Sequence, residues 1–238
     1  MRSERDVWRL AVGVAALAFG LCSQALAAGF SASVGLLSDK VVYGNSQSGG
    51  RTSAVLDTSY RTADGWALGA GLASLGGGPT RADAEATASA GYGAAVGDNG
   101  AWQATYTRNH SVASPALRRP GFNQLGVAYG WAERLQVSAL LSLGLSGPAP
   151  APARGRTRGH AGVVDVSWHQ PLGQRFALDL GAGHVNYSGV AVPAYTFGSV
   201  GVSAGVGPLQ VFASRIFSDS RLPIAVGPRA VVSVLMSF

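Results

Sequence analysis

The last ten residues of the chain, 229–238, alternate apolar and small polar side chains and end on an aromatic residue. One face of this segment carries Val232, Val234, Met236 and Phe238, and the other carries Ser233 and Ser237. Successive side chains of a β-strand point to opposite faces, so the pattern suits a strand with lipid on one side and a polar interior on the other. An edge strand of a soluble β-sandwich is the alternative.

The first 27 residues have the features of a secretory signal peptide. Basic residues precede an apolar stretch over 10–21, which is too short to span a bilayer, and Ala25-Leu26-Ala27 forms a small-x-small cleavage site. We therefore predict a signal peptide over 1–27 and a single domain over 28–238, exported through the inner membrane of a Gram-negative bacterium.

The composition of the chain favours strands over helices. Glycine accounts for 34 of the 238 residues and charged residues for 13%. This suits neither a helical bundle, where glycine is costly, nor a disordered chain, which usually carries more charge. Beyond the signal, no apolar run reaches the roughly 20 residues of a membrane helix. The net charge of +6 is scattered along the chain, which excludes a nucleic-acid-binding surface.

Segments of about ten residues, the length that a tilted membrane strand needs, recur along the mature chain. We predict about twelve strands, with ten as the alternative if a weak segment is miscounted. The predicted strands lie near 30–38, 52–61, 66–75, 84–95, 101–110, 122–132, 135–146, 160–170, 175–186, 195–206, 209–218 and 229–238.

The connections between these segments alternate between short and long. Short turns rich in turn-forming residues alternate with longer connections such as 40–51, 111–121, 147–159 and 219–228. Short periplasmic turns, longer outer loops and an even strand count are typical of outer-membrane barrels. We therefore predict an all-β fold, a single antiparallel transmembrane β-barrel.

The alternation assigns side chains to the two faces of this barrel. Aromatic residues beside the short turns and the C-terminus should form a periplasmic girdle facing lipid: Tyr60, Trp66, Trp102, Trp131, Phe176 and Phe238. Polar residues on the opposite faces are the candidate pore-lining set: Asp57, Arg61, Gln103, Thr105, Gln136, Asp165, His169 and Asp179. The direction of Arg215 is ambiguous, because apolar residues occupy both faces of its segment.

The first predicted hairpin resembles a known family. Residues 31–39 (SASVGLLSD), the segment 43–48 (YGNSQS) and a second strand at 53–60 are similar to the opening of the TorF-like porin family of Gram-negative outer membranes. Ser38-Asp39 and Gly44-x-Ser46-Gln47 match that pattern, whereas Lys40 and Tyr43 replace the usual tyrosine and arginine. The resemblance covers about thirty residues and implies a porin-like barrel.

The first loop admits two interpretations. Asp39, Ser46 and Gln47 could line the pore entrance if the loop folds inward. Alternatively, Asn45, Ser46 and Gly49 supply side-chain-to-backbone hydrogen bonds in a tight Ω-like loop, and this is the interpretation that we favour.

A Pro-Ala-rich segment over 147–158 is the most distinctive low-complexity stretch. Its prolines favour an extended spacer that would present Arg154, Arg156 and Arg158 at the barrel mouth. These arginines could contact lipopolysaccharide phosphates or attract anions, and a solvated basic loop without a partner is equally compatible.

The sequence carries no catalytic signature, and we predict no enzymatic activity, cofactor or metal site. Asp165 and His169 share a strand face but lie about 13 Å apart, too far to pair. His110, His160 and His184 fall near outer strand ends, where Ser111 or Asn186 could join them, without a recognisable motif.

These patterns predict a porin-like channel for passive diffusion of small hydrophilic solutes or ions. The alternatives are a non-conducting structural barrel, with an internal salt-bridge network filling the lumen, or a barrel enzyme acting on lipid or peptide. The expected partners are outer-membrane lipid and lipopolysaccharide, small hydrophilic solutes, and the barrel-assembly machinery through the strand ending at Phe238.

Overall fold

The computed structural model describes residues 28–75, 84–112, 121–148, 156–220 and 229–238. The predicted signal peptide and Arg154 lie outside these described residues. Fourteen strands occur in the described part of the chain: β1 Gly29–Leu37, β2 Val41–Val42, β3 Asn45–Ser46, β4 Ser53–Arg61, β5 Trp66–Ser74, β6 Ala84–Val96, β7 Gly100–Val112, β8 Phe122–Trp131, β9 Leu135–Pro148, β10 Arg156–Leu172, β11 Phe176–Ser188, β12 Tyr195–Val206, β13 Leu209–Ser218 and β14 Arg229–Ser237.

Twelve of these strands close into an antiparallel barrel, and β2 and β3 form a separate small hairpin. Each barrel strand pairs with its neighbours in the sequence, and β14 pairs with β1 to complete the ring. Backbone hydrogen bonds join Ala32 and Phe238 in both directions where the two ends meet. The prediction of an antiparallel barrel of about twelve strands is confirmed, and the ten-strand alternative is wrong.

The predicted strands match the barrel strands closely at the short-turn end. The two differ mainly at the other end. There β9 continues to Pro148 where 146 was predicted, and β10 already starts at Arg156 where 160 was predicted. Pairing between β9 and β10 continues beyond the apolar segments, because backbone hydrogen bonds do not depend on hydrophobic alternation. Among the described residues, no helix is long and apolar enough to cross a membrane.

The exterior of the barrel is apolar and its short-turn end is rich in aromatic residues. All six girdle residues of the sequence prediction lie on the outward face, with Phe238 61% and Trp66 59% exposed. Ring contacts join Trp66 to Tyr92 at 5.2 Å and Tyr92 to Trp102 at 5.8 Å between centroids. Phe30 and Trp168 are further exposed aromatics of the outward face. This arrangement suits a membrane interface, where amphipathic rings are favoured.

The register of β13 resolves the direction of Arg215. Arg215 pairs with Val200 of β12 and Ala230 of β14, which both point outward. Phe212 is buried and points inward. Arg215 therefore faces outward, as does Phe217, two residues further along β13.

A bulge in β9 changes which residues face inward at the long-connection end. Leu143 pairs with His160 and Leu145 with Gly159, so Gly144 is the extra residue, with a φ of 77° that favours glycine. The bulge turns Leu145 into the barrel. There it packs against a buried apolar cluster formed by Ala161, Val163, Val185 and Tyr195.

Candidate pore and its inward-folded first loop

The strand register places all eight candidate pore-lining residues on the inward face. These eight residues alternate with exposed apolar residues along each strand. Their cross-strand neighbours are small or polar. The cross-strand pairs are Asp57 with Ser33 and Gly71, Arg61 with Ala67, Gln103 with Ala128, Thr105 with Gly91, Gln136 with Ser167, Asp165 with Ser138 and Gly183, and His169 with Asp179. Whether these residues line a conducting pore stays a prediction.

On the wall formed by β9–β12, the inward carboxylates bond to neighbouring strands. Ser138 donates to Asp165 at 2.6 Å. Asp179 contacts His169 Nδ1 through one oxygen at 2.7 Å and accepts from Ser203 through the other at 2.7 Å. His169 and Asp179 are direct partners across the β10–β11 pair, whereas only Asp165 was considered from the sequence as a partner for His169.

On the wall formed by β7–β9, neutral polar side chains cross the strands in series. Asn109 donates to Gln124 at 2.9 Å, and Gln124 donates to Ser142 at 3.1 Å. On β7 itself, Gln103 donates to Thr105 at 2.6 Å, and Gln103 is only 2% exposed. This side of the interior is therefore closely packed and polar.

The first loop, residues 38–52, folds into the barrel. It contains β2 and β3, which pair Val41 with Ser46 and Val42 with Asn45. Lys40 is 1% exposed, and its Nζ lies 2.7 Å from Glu85 Oε1 on β6. A lysine is rarely buried without a partner, so this ion pair accounts for the inward position of the side chain.

Asp39 fastens the same loop to itself and to β14. Its carboxylate accepts hydrogen bonds from Ser46 at 2.6 Å and Ser48 at 2.7 Å, and it forms an ion pair with Arg229. Burial would raise the pKa of Asp39, but the bonds from Ser46, Ser48, Arg229 and the Gly50 amide outweigh burial and hold it below the usual value.

On the other side of the lumen, the loop contacts β12. The Tyr43 ring lies 5.8 Å from that of Phe197, and the Asn45 amide donates to the Tyr195 hydroxyl. Gly44 approaches so closely that an added Cβ would lie 2.8 Å from the Cβ atoms of Phe197 and Ser218. The loop thus combines a polar anchor and an apolar contact on this wall.

These contacts join opposite walls of the barrel. In the closed strand order, five strands separate β6 from β12 in either direction around the ring. Because Lys40 reaches β6 while Tyr43 and Asn45 reach β12, the first loop crosses the bore. The structure therefore combines the two sequence interpretations: the loop folds inward, and Ser46 also accepts hydrogen bonds from the amides of Gly49 and Gly50.

Acidic groups outnumber basic groups in the described interior. The inward-facing or buried acids are Asp39, Asp57, Glu85, Asp165 and Asp179, and the basic side chains are Lys40, Arg61 and Arg229, together with Arg51, which is exposed on the first loop. The basic net charge of the whole chain therefore does not describe the lumen.

The remaining candidate mouth residues differ in position. Gln47 is partly buried in the first loop, and its backbone N–H donates to the Lys40 carbonyl at 2.7 Å. Arg156 begins β10, and Arg158 is exposed on the outward face of β10. Arg158 therefore lies on the lipid side of the wall.

The described residues do not assemble the enzyme site that the sequence left open. His110, His160 and His184 fall on the outward face, whereas Ser111 falls on the inward face. Ser203 bonds to the Asp179 carboxylate and not to the imidazole, so the arrangement differs from a base positioned to activate a serine. No group of metal-ligating side chains occurs in this part of the chain.

Sequence reasoning missed the residues that hold the loop. Lys40 and Glu85 are 45 residues apart, Asn45 and Tyr195 are 150 apart, and Asp39 and Arg229 are 190 apart. No local spacing or periodicity connects such positions. The only indication in the sequence was Glu85, an acid on the inward face of β6, and its position does not specify which residue it pairs with.

No protein-family model and no curated protein sequence matches the chain. Solved structures match its fold. The NanC porin is 10% identical, with 88% of this chain and 99% of that chain covered and a TM-score of 0.58. The KdgM porin in complex with disordered oligogalacturonate is 10% identical, with 88% and 98% covered and a TM-score of 0.52.

The translocator domain of the autotransporter NalP from Neisseria meningitidis is also similar. It is 15% identical, with 94% of this chain and 93% of that chain covered and a TM-score of 0.51. At these identities the likeness is one of fold. The protein has the fold of outer-membrane β-barrels, in a twelve-stranded form.

Proposed function

We propose that the protein is an outer-membrane channel for passive diffusion of small hydrophilic solutes or ions, narrowed by its first loop. The carrying observation is the segregation of the strands into an apolar outward face and a polar inward face that includes Asp57, Asp165 and Asp179. A barrel of twelve strands lies between filled eight-stranded barrels and the open channels of sixteen-stranded porins.

The first loop defines the narrowest part of this channel. It bridges β6 and β12 through Lys40 and Asn45, so solutes must pass on either side of the bridge. On one side lie His169 and Asp179, which both keep partial solvent exposure, whereas the side around Gln103 is closely packed. We infer that the path passes His169 and Asp179 near the short turns, because the long-connection end of the same wall is closed by the apolar cluster that Tyr43 contacts.

The lumenal charge favours cationic or neutral solutes over anionic ones. Five acids face four basic side chains in the described interior, when Arg51 of the first loop is included. Oligogalacturonate, which is present with the KdgM porin, is an acidic sugar polymer, and the present lumen would repel such a chain. We therefore do not extend that solute to this protein.

A non-conducting barrel is the second candidate function. Two buried ion pairs on the loop and the close packing around Gln103 favour it, because together they could fill the bore. In that case the loop would be an internal plug that stabilises the wall.

Single-channel recording decides between the two. The refolded mature chain, residues 28–238, is placed in a planar bilayer with a salt gradient. Small discrete steps with a reversal potential of the cation-selective sign are expected. A silent barrel that still shows β-rich circular dichroism and heat-modifiable gel mobility would overturn the channel and leave the structural barrel.

The first hairpin supports assignment to the TorF-like porin family through Ser38-Asp39 and Gly44-x-Ser46-Gln47. The polar members of this pattern have a structural reason here: Asp39 and Ser46 bond to each other. We also propose that assembly machinery recognises the terminal strand ending at Phe238, whose alternation and terminal aromatic suit insertion into the outer membrane.

A further inference from the structure

Charged side chains divide between the two faces of the barrel wall. Every acid within a described barrel strand points inward, namely Asp57, Glu85, Asp165 and Asp179. The described arginine side chains that point outward from strands are Arg108, Arg158 and Arg215. Asp219, just past the end of β13, is exposed and accepts hydrogen bonds from Thr196.

Arg108 belongs to an outward cluster at the long-connection end of β7 and β8. Asn123 Oδ1 accepts from Arg108 Nη1 at 2.9 Å and from the Tyr106 hydroxyl at 3.0 Å. With its oxygen engaged twice, the Asn123 amide nitrogen can donate outward, beside the remaining guanidinium N–H groups. The cluster therefore offers several donors to one anion.

The guanidinium of Arg108 lies at the edge of the barrel wall and not at mid-height. Asn123 is the second residue of β8, and an ideal Cβ on Gly121 would lie 3.3 Å from Arg108 Nη2. An outward arginine costs about 2–4 kcal/mol at the middle of a bilayer but about 0–1 near its interfaces. The position suits a group at headgroup level.

Arg215 is a second outward arginine, on the other side of the barrel. Five strands separate β13 from β7 in either direction. Its Cζ lies 5.7 Å from the centroid of the Phe217 ring, two residues nearer the long-connection end. The side chain therefore extends towards that end, as a long basic side chain does when its base is in hydrocarbon and its charge is at the interface.

We propose that the Arg108–Asn123 pair binds a phosphate group of an outer-leaflet glycolipid of the lipid A type, and that Arg215 binds a second such lipid on the opposite side. Guanidinium forks pair with phosphate oxygens through two parallel hydrogen bonds, which an amide donor can extend. No acid within the described strands points outward, and the carboxylate of Asp219, just past β13, already accepts hydrogen bonds from the Thr196 amide and hydroxyl. The inference rests on the outer-membrane location in the proposed function, but not on conduction.

Native mass spectrometry of the refolded mature chain in detergent tests this proposal. The probes are bisphosphorylated lipid A and the same lipid A with both phosphates removed. We expect the dephosphorylated lipid to bind at least about tenfold more weakly. The loss of one charge-assisted hydrogen bond between an arginine and a phosphate raises the dissociation constant by about that factor. The Arg108→Gln/Arg215→Gln double variant should lose the same preference.

The matched control is Arg134→Gln/Arg175→Gln, which removes two exposed arginines at the short-turn end. This control should bind bisphosphorylated lipid A as the unaltered protein does. Equal binding of the two lipids, unchanged binding by the Arg108/Arg215 variant, or an equal loss in the control would each overturn the proposal. Lipid binding and conductance are separate readouts, so failure here is distinguishable from failure of the channel.

Discussion

Lys40 Nζ lies 2.7 Å from Glu85 Oε1, inside a barrel whose exterior is apolar. The lysine comes from the first loop and the glutamate from β6, and the pair fixes one end of the bridge across the bore. Each of these two buried charges stabilises the other, because an unpaired ion in a buried site is strongly unfavourable. The position of the loop therefore depends on this contact.

Replacing one partner should cost more than replacing both. Lys40→Met leaves the Glu85 carboxylate without its ammonium partner and should lower the free energy of unfolding by about 3 kcal/mol. The Lys40→Met/Glu85→Leu variant should regain most of this loss. Urea unfolding in detergent micelles measures both, and strictly additive effects would show that the two side chains are not coupled.

Gly44→Ala should displace the loop from β12. The residue has a φ of 75°, and an added Cβ would lie 2.8 Å from the Cβ atoms of Phe197 and Ser218. Single-channel conductance should rise as the bridge is released. Gly97→Ala is the control, because Gly97 has a φ of 62° but no atom within 4 Å of the added Cβ.

Backbone strain of about 1–2 kcal/mol is common to both glycine variants. Only Gly44→Ala should change conductance. If the two variants conduct alike, the Gly44 contact does not hold the loop in the bore.

Acid should weaken the attachment of the loop through Asp39. Hydrogen bonds from the loop and from Arg229 lower the pKa of Asp39 in the folded protein below its value in the unfolded chain. The resulting stability is present above the unfolded pKa of about 4 and is lost as pH falls through the lower folded pKa. Thermal unfolding in detergent should therefore show a decline below about pH 4.

Asp39→Asn isolates this contribution. The variant should be less stable than the unaltered protein at neutral pH and should show a smaller decline in acid. An identical pH profile in the two proteins would mean that other carboxyl groups produce the acid sensitivity.

Asp57→Asn should reduce the cation preference of the channel. Asp57 is an inward acid on β4, and asparagine keeps its size while removing its charge. The reversal potential under a salt gradient should move towards zero. Asp98→Asn, at an exposed short turn, should leave the reversal potential unchanged. A shift of equal size in both variants would place selectivity outside the lumen.

The strands were predictable because their signal is local. Alternation of apolar and polar residues over about ten positions indicates lipid on one side of a strand. Aromatic residues beside turns indicate the membrane–water interface. The direction of Arg215 was not predictable, since Leu209, Val211, Phe212 and Ile216 place apolar side chains on both faces of β13. Pairing with Val200 and Ala230 decided it.

The candidate site was only partly predictable for the same reason. The sequence located Asp39 and Ser46 in a polar first loop and located inward acids on separate strands. It did not indicate that Lys40 would pair with Glu85, because that contact exists only after β6 and the loop are brought together.

By itself, the amino-acid sequence determined the barrel, its aromatic girdle and the parity of most polar residues, all of which follow from short-range alternation between lipid and interior, while it left the strand count at twelve or ten. Only the tertiary structure decided that the first loop crosses the bore and that Arg108 and Arg215 stand on opposite sides of the barrel. Closure of the sheet sets which strands stand opposite one another, and these contacts join residues that nothing in local sequence connects.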